Sequence, residues 1–251
     1  IGPEFVAAVG DVHHFEGVAS VNDPLWMTNY ELIYSHPELM LYWFPVLGNH
    51  EYNGNTQAVL DYAKISRRWC MEGRYYTKEF TVDKAGTTIR LVFVDTAPMI
   101  DKYRNNKEEY PDAGKQDMNR QFEWIDSVLT VNKSTWTIVL GHHPVYAETG
   151  KAEGERLDMQ ARLNPILKKH KVDMYVCGHI HNFQHIRRED SPVDYIVNTA
   201  GALSRKVKAI EGTQFCSGAT GFSVCSASDQ DLRLYMLDKD GNVLYVVERK
   251  K

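Results

Sequence analysis

No stretch of the 251 residues stays apolar for the ~20 positions that a membrane-spanning helix needs, and no charged-then-apolar leader opens the chain. A processed secreted chain would look the same. Basic excess is missing too: 29 Lys and Arg stand against 33 Asp and Glu, the net charge is −4 and the pI is about 6.2. That balance gives no electrostatic reason to expect a nucleic-acid partner. The clusters Arg187-Arg188 and Arg249-Lys250-Lys251 are small and read as solvated surface. Cysteine is scarce, and four are too few for a disulfide framework. Cys177 falls in an apolar run and reads as a core residue, while Cys70 has no evident mate. Cys216 and Cys225 flank a glycine-containing turn and could pair in an oxidising compartment. Internal repeats, low-complexity tracts and linkers are absent.

What remains is an ordinary globular composition, 43% hydrophobic and 25% charged, long enough to bury a sizeable core without covalent staples. Phe5-Val6-Ala7-Ala8-Val9 reads as a buried strand ending at Gly10-Asp11-Val12-His13-His14. A domain seldom begins on such a strand, so the single domain expected over residues 1–251 reads as N-terminally incomplete. In residues 22–36, Leu25, Trp26, Tyr30 and Ile33 fit one helix face, with Asp23 as N-cap and Pro24 behind it. Trp43-Phe44-Pro45-Val46-Leu47 is a second apolar run, ending at Gly48-Asn49-His50-Glu51, and residues 56–69 read as a helix. Residues 75–82 and 88–94 flank Lys84-Ala85-Gly86 as a hairpin that ends in Asp95-Thr96.

Residues 98–115 and 148–155 are polar and read as loops; a loop as long as the first is usually functional or disordered. Between and after them, residues 118–128 and 157–170 read as helices. The β-branched run at 135–140 ends at Gly141-His142-His143-Pro144, and Met174-Tyr175-Val176-Cys177 ends at Gly178-His179-Ile180-His181. Short strands follow at 195–197, 222–224, 232–235 and 243–247, the last two joined across Asp240-Gly241-Asn242. Alternation of helix and strand, then strands alone, argues for the α/β class.

Four apolar strands therefore stop at loops carrying metal-competent side chains: Asp11, Asn49 with His50, His142, and His179 with His181. Ligands in α/β sheets gather just beyond the carboxyl ends of strands. On an extended backbone His179 and His181 would share a face about 7 Å apart, which suits two neighbouring ions better than one. Imidazole, carboxylate and amide together suit zinc, manganese or iron rather than an all-oxygen calcium site. One His-x-His at a strand end is as readily a pair of surface histidines. Four such ends in one chain are not.

As an ordered set, Gly10-Asp11, Gly48-Asn49-His50-Glu51, Gly141-His142 and Gly178-His179-Ile180-His181 resemble the motifs of calcineurin-like metallophosphoesterases. Phe15-Glu16-Gly17-Val18, Ile65-Ser66-Arg67-Arg68-Trp69, Val94-Asp95-Thr96, His143-Pro144-Val145 and Val176-Cys177-Gly178-His179 resemble the purple acid phosphatase branch, above all its small tartrate-resistant type. The resemblance implies a four-layer α-β-β-α sandwich of two mixed β-sheets flanked by helices, with its N-terminal strand missing. It implies a dinuclear phosphatase in which a metal-bound hydroxide attacks a phosphomonoester, with two divalent or mixed-valence ions of iron, zinc or manganese. It makes Asp11 the bridging carboxylate and a catalytic residue. Asn49, His142 and His179 would complete one site, and His181 would bind the other. His50 would stand over the substrate phosphate as donor or proton source, beside Asn49.

Two departures matter. The family's first motif supplies a further metal-binding Asp from an upstream strand that this sequence does not include. The tyrosine that gives purple phosphatases their colour is replaced by His14, so His14 as a ligand implies a centre without the phenolate-to-iron band; His13 is its rival. His143 reads either as substrate-binding rim or as a supporting hydrogen-bond partner. Asp95 reads as structural; Asn182 and His185 are either rim or ordinary loop surface. The same scaffold could serve a phosphodiesterase or nucleotide hydrolase, or a binding protein with an incomplete metal site. The resemblance further implies a small phosphorylated substrate as partner, a monomer or homodimer, and a periplasmic, secreted or cell-surface location.

Overall fold

The apolar runs of the sequence assemble into three sheets wrapped by helices, seen in a computed structural model that describes residues 2–251. The first part carries β1 (Phe5–Ala8), β2 (Tyr42–Pro45), α1 (Asn49–Asn53), α2 (Thr56–Asp61), β3 (Tyr76–Thr81) and β4 (Thr88–Phe93). The middle carries α3 (Asp101–Asn105), α4 (Met118–Thr130), β5 (Trp136–Leu140), α5 (Glu153–Arg162), α6 (Asn164–Lys169) and β6 (Met174–Cys177). The remainder is β: β7 (Phe183–Ile186), β8 (Asp194–Val197), β9 (Thr213–Ser217), β10 (Gly221–Ala227), β11 (Asp231–Asp238) and β12 (Val243–Lys250).

The largest sheet has seven strands in the order β3-β4-β5-β6-β8-β7-β9. Strands β4, β5, β6 and β8 pair in parallel, with antiparallel pairs at both margins. Its central strands are covered on both faces, and β5 and β6 are accordingly buried at every residue. Two smaller sheets pack on one face. Parallel β1-β2 meets the β3-β4 end, where Phe5 stacks on Phe80 at 4.4 Å. Antiparallel β10-β11-β12 meets the other end, where Tyr245 stacks on Phe215 at 4.6 Å. Helix α4 covers the opposite face beside β4, and the Tyr30, Trp26 and Trp69 side chains close over β2 from outside, with Tyr30 edge-on to Trp43 at 5.1 Å. The expected α/β sandwich, two β layers between helical layers, is the architecture present. No helix among the described residues is long and apolar enough to cross a membrane.

Several local expectations are corrected. Within 22–36 only Met27–Glu31 is helical, as a π-turn; its Leu32 N–H reaches Met27 O at 2.9 Å, and the extra residue in the turn rotates Ile33 out to solvent. The 56–69 helix stops early because Arg68 and Cys70 pair their backbones with Trp43 beside β2. Residues 98–115 are not an open loop: Tyr103 and Tyr110 are buried against each other at 4.8 Å, and Arg104 ties the segment to Pro98 O. The 157–170 helix is α5 and α6, which starts earlier and breaks at Leu163. Strands β7 and β9 went unread: β7 because its polar residues are inside, Gln184 bonding Glu148 and His185 bonding Asp194, and β9 because its short, mostly polar run, Thr213–Ser217, pairs as the last strand of the sheet. All four cysteines are free, and Cys216 and Cys225 lie in different sheets.

Candidate metal centre

Just past β1 the backbone turns through Gly10 (φ 88°) and Asp11 (φ 56°), both left-handed. A Cβ on Gly10 would stand 2.5 Å from His142 Nδ1, and one on Gly48 would collide with the Asp11 carboxylate. Both glycines are therefore required for the close approach of three loops. Glu51, quoted in the motif but given no role there, organises that approach. Its buried carboxylate accepts N–H groups from Asp11 (2.8 Å), His13 (3.1 Å) and Gly48 (2.7 Å), tying the β1 loop to the start of α1. Burial, then the nearby Asp11 charge, push the Glu51 pKa upward. The sequence did carry a signal: an acid three residues after the residue that opens a helix is capping-box spacing.

His142 is the hub. Its Nδ1 donates to Val9 O at 2.7 Å, which leaves a lone pair on Nε2. That nitrogen lies 3.0 Å from Asp11 Oδ2, 3.2 Å from Asn49 Oδ1 and 3.2 Å from His179 Nδ1. His179 Nε2 in turn donates to Glu155 Oε2 at 2.9 Å, so its Nδ1 also presents a lone pair. Four acceptor atoms thus face one another in a buried space, an arrangement that repels unless a cation sits among them. Burial alone would lower the His142 pKa, yet the Asp11 carboxylate beside it raises it. Burial would raise Asp11, but His142 and then His50 hold it well below the usual carboxylate range.

A second group shares Asp11. Ligand atoms of Asp11, His14 and His181 lie within 4.8 Å of one another, and Nδ1 of both histidines is buried without a hydrogen-bond partner. His14 is drawn down by burial and then by His50; His181 is lowered to about 4 by burial, then by Arg205 and Lys151, and both shifts favour the uncharged, metal-binding form. His13 goes elsewhere: it is fully buried, edge-on to Trp26 at 4.3 Å. His179 (φ 68°) and His181 (φ 62°) are both left-handed, so they do not alternate along an extended strand. The turn sends one to each group. Backbone strain of this kind is concentrated here, as it is at many functional sites.

His50 lies beside both groups, its ring 4.0 Å from that of His14. Nδ1 donates to Phe15 O at 2.7 Å, and Nε2 stands 3.9 Å from Asp11 Oδ2, part-exposed. The rim position expected for His143 is corrected: the residue is fully buried, with Nδ1 2.8 Å from Thr96 Oγ1 and its ring packed on Tyr103 and His179. Thr96 Oγ1 also accepts the His142 and His143 N–H groups. Asn182 and His185 are buried and away from any rim, bonded to Gln184 and Asp194. Asp95 is structural in its contacts, accepting from Tyr52 at 2.5 Å; burial raises it to about 7 against the pull of Arg74. Two residues escaped the sequence reading. Glu155 sits in the first turn of α5, held by Lys102 at 2.7 Å and Tyr103 at 3.2 Å. Lys151 extends its Nζ to 3.1 Å from each ring nitrogen of His179. Neither lies in a motif that spacing could flag.

The donor chemistry fits transition-metal ions: imidazole, carboxylate and amide atoms converge, with unpartnered nitrogens beside them. The calcineurin-like phosphoesterase family matches residues 1–183. The chain belongs to that family. Among curated relatives, this phosphoesterase is 31% identical to purple acid phosphatase 3 of Arabidopsis thaliana, over 96% of the chain and 67% of that protein. It is 30% identical to tartrate-resistant acid phosphatase type 5 of Rattus norvegicus, over 80% of the chain and 62% of that protein. The chain thus spans roughly two thirds of their length. Its fold is shared by the Plasmodium protein described as "GAP50 the anchor in the inner membrane complex", at TM-score 0.83 and 24% identity, covering 98% of this chain and 78% of that one. It is shared also by purple acid phosphatase PPD1 of yellow lupin, at TM-score 0.67 and 18% identity, covering 98% and 46%.

Proposed function

We propose that this phosphoesterase is a metal-dependent phosphatase acting on phosphomonoesters. The observation that carries the reading is the convergence of Asp11, Asn49 and His179 lone pairs on His142 Nε2. Asp11, Asn49, His142 and His179 would hold one ion of zinc, manganese or iron, and Asp11, His14 and His181 a second. Bound there, such ions supply Lewis acidity, an activated water and charge neutralisation for phosphoester hydrolysis. Val9 O and Glu155 orient the His142 and His179 rings so that each offers one defined nitrogen. Lys151 and Arg205 add positive potential that attracts a phosphate dianion. His50, with Nδ1–H given to Phe15 O, presents a lone pair on Nε2 when neutral; only with a proton taken up there would Nε2 donate to a phosphoryl oxygen or pass that proton to the leaving alcohol.

The test is turnover of p-nitrophenyl phosphate and of bis-p-nitrophenyl phosphate after chelation and metal replacement. Metal should restore monoester hydrolysis above diester hydrolysis. His50→Ala should lower kcat by about 10²–10⁴-fold, the usual worth of a positioned acid or base, with metal content intact. Faster diester turnover would reassign the chain to phosphodiesters, and loss of metal in His50→Ala would make it a ligand.

A second reading, a binding protein whose metal site is incomplete, is favoured by one observation: the Lys151 ammonium stands 3.1 Å from both ring nitrogens of His179, a like charge beside the place of an ion. The likeness in shape to a protein described as an anchor agrees with it. Fewer than two ions per chain together with no turnover of either ester would select it.

A further inference from the structure

The four facing lone pairs at His142 call for positive charge, and one residue of this chain already delivers it. Lys151 lies between β5 and α5, just ahead of α5, in a segment 148–152 that is neither helix nor strand. Its ammonium reaches inward to 3.1 Å from both ring nitrogens of His179, the ring whose Nε2 donates to Glu155 and whose Nδ1 faces His142. Glu155 and Asp11 draw the ammonium inward, while Arg205 and Lys102 oppose it. Glu148 is fixed by Gln184 at 2.7 and 2.9 Å, but beyond it the backbone is held lightly: Lys151 N–H bonds Thr149 Oγ1 at 3.1 Å, and Arg156 reaches Lys151 O at 3.4 Å. Gly150, next to it, has no atom within 4 Å of where a Cβ would be, so nothing packs against that point of the segment.

We propose that Lys151 is a tethered cation that competes with a divalent metal at His179, so that loading the site requires its ammonium to swing out on residues 149–152. The inference rests on the reading of Asp11, Asn49, His142 and His179 as metal donors. Like charges a few Å apart in a partly buried site repel strongly, and an ion on His179 Nδ1 would stand within a few Å of an ammonium held 3.1 Å from that ring. Removing the charge therefore tightens metal binding, although the residue lies beside the ligands and its loss would ordinarily weaken them. Swung outward, the same ammonium stays tethered at the mouth of the site, where it faces an incoming phosphate rather than a metal.

The experiment is zinc titration of chelator-stripped protein, wild type against Lys151→Met, by competition with a chromophoric chelator and by calorimetry. Methionine keeps the length and flexibility of the side chain without its charge. Circular dichroism and the Tm of both metal-free proteins establish that each is folded. Lys151→Met should bind the first zinc ion at least tenfold more tightly than wild type. Lys151→Ala, which clears the space as well, should also gain, and its gain keeps the result readable if methionine packs badly. Unchanged or weaker zinc affinity in both folded variants would overturn the Lys151 proposal and leave the metal reading standing. Absence of zinc binding in wild type and variants alike would remove the metal reading and this inference with it.

Discussion

Asp11 and Asp194 are both buried carboxylates touching a histidine, yet their surroundings are opposite in kind. Asp194 opens β8 and is met by donors on every side: His185 Nε2 at 2.7 Å, Arg187 Nε at 2.5 Å and Arg249 Nη1 at 2.7 Å. Arg249 comes from the last strand, so this cluster pins β12 and the small sheet to the central one. Asp11 follows β1 and looks instead at other acceptors, on a left-handed backbone, with unpartnered histidine nitrogens nearby. The first cluster is electrostatically closed and serves stability. The second is open and requires a cation from outside or from Lys151.

The largest effect expected from breaking this contrast is at the closed end. Asp194→Ala should cost about 1.5–3 kcal/mol in urea unfolding, since it removes the charged acceptor shared by buried His185 and part-exposed Arg187 and Arg249. Burial alone would raise the Asp194 pKa, but hydrogen bonds from His185, then Arg187 and Arg249, hold it well below the usual carboxylate value. The unfolded chain therefore takes up this proton at a higher pH than the folded one. The stabilisation is complete above the ordinary range near pH 4 and is lost as pH falls below it. Asp194→Asn should flatten the acid limb of the stability curve. A loss under about 1 kcal/mol for Asp194→Ala, the level of an exposed pair, would show that the closed cluster is not what holds β12.

The same contrast explains what could be read from the sequence. Asp11, Asn49, His142, His179 and His181 stood out because each follows an apolar strand and a glycine, a pattern local in the chain. The layers were legible for a related reason: β5 and β6, buried on both faces, are short continuous apolar runs. Glu155 and Lys151 were not legible, because they reach the site from a polar segment and a helix start whose composition is that of solvated surface. His143 was left open between rim and supporting partner, and the contact that favours the second, its Nδ1 2.8 Å from Thr96 Oγ1, joins residues 47 apart in the chain. Strand β7 was hidden by Gln184 and His185, polar residues made buriable by partners on other elements, Glu148 and Asp194.

A smaller effect is expected where a closed interaction supports the open site. Glu155 fixes which nitrogen His179 presents and is itself held by Lys102 and Tyr103. Glu155→Gln keeps the shape and an acceptor but removes the charge that strengthens the ring as a donor. Zinc affinity should fall about 10–100-fold, the usual worth of such a supporting carboxylate. Tm of the metal-free protein should move little, since Gln still accepts from His179. A large drop in Tm with zinc affinity unchanged would make Glu155 a structural residue and detach it from the site.

The smallest effect should come from Thr96, where the closed and open regions of the β4–β5 edge meet. Its Oγ1 takes the His142 N–H at 3.3 Å and the His143 N–H at 3.2 Å, and lies 2.8 Å from His143 Nδ1. Valine matches threonine in shape but offers no acceptor, so Thr96→Val strands two buried N–H groups and frees the His143 ring. Each stranded donor costs on the order of 1 kcal/mol, the lower end of the range because both bonds are long. If Thr96 only packs the turn, unfolding free energy falls and zinc affinity stays at the wild-type value. If it aims the hub, His142 Nε2 drifts from Asp11 and Asn49, and zinc affinity falls as well, by less than in Glu155→Gln because Val9 O still holds the His142 ring. We expect the second pattern, since the His142 ring can hold its place among three acceptors only while its own backbone is fixed.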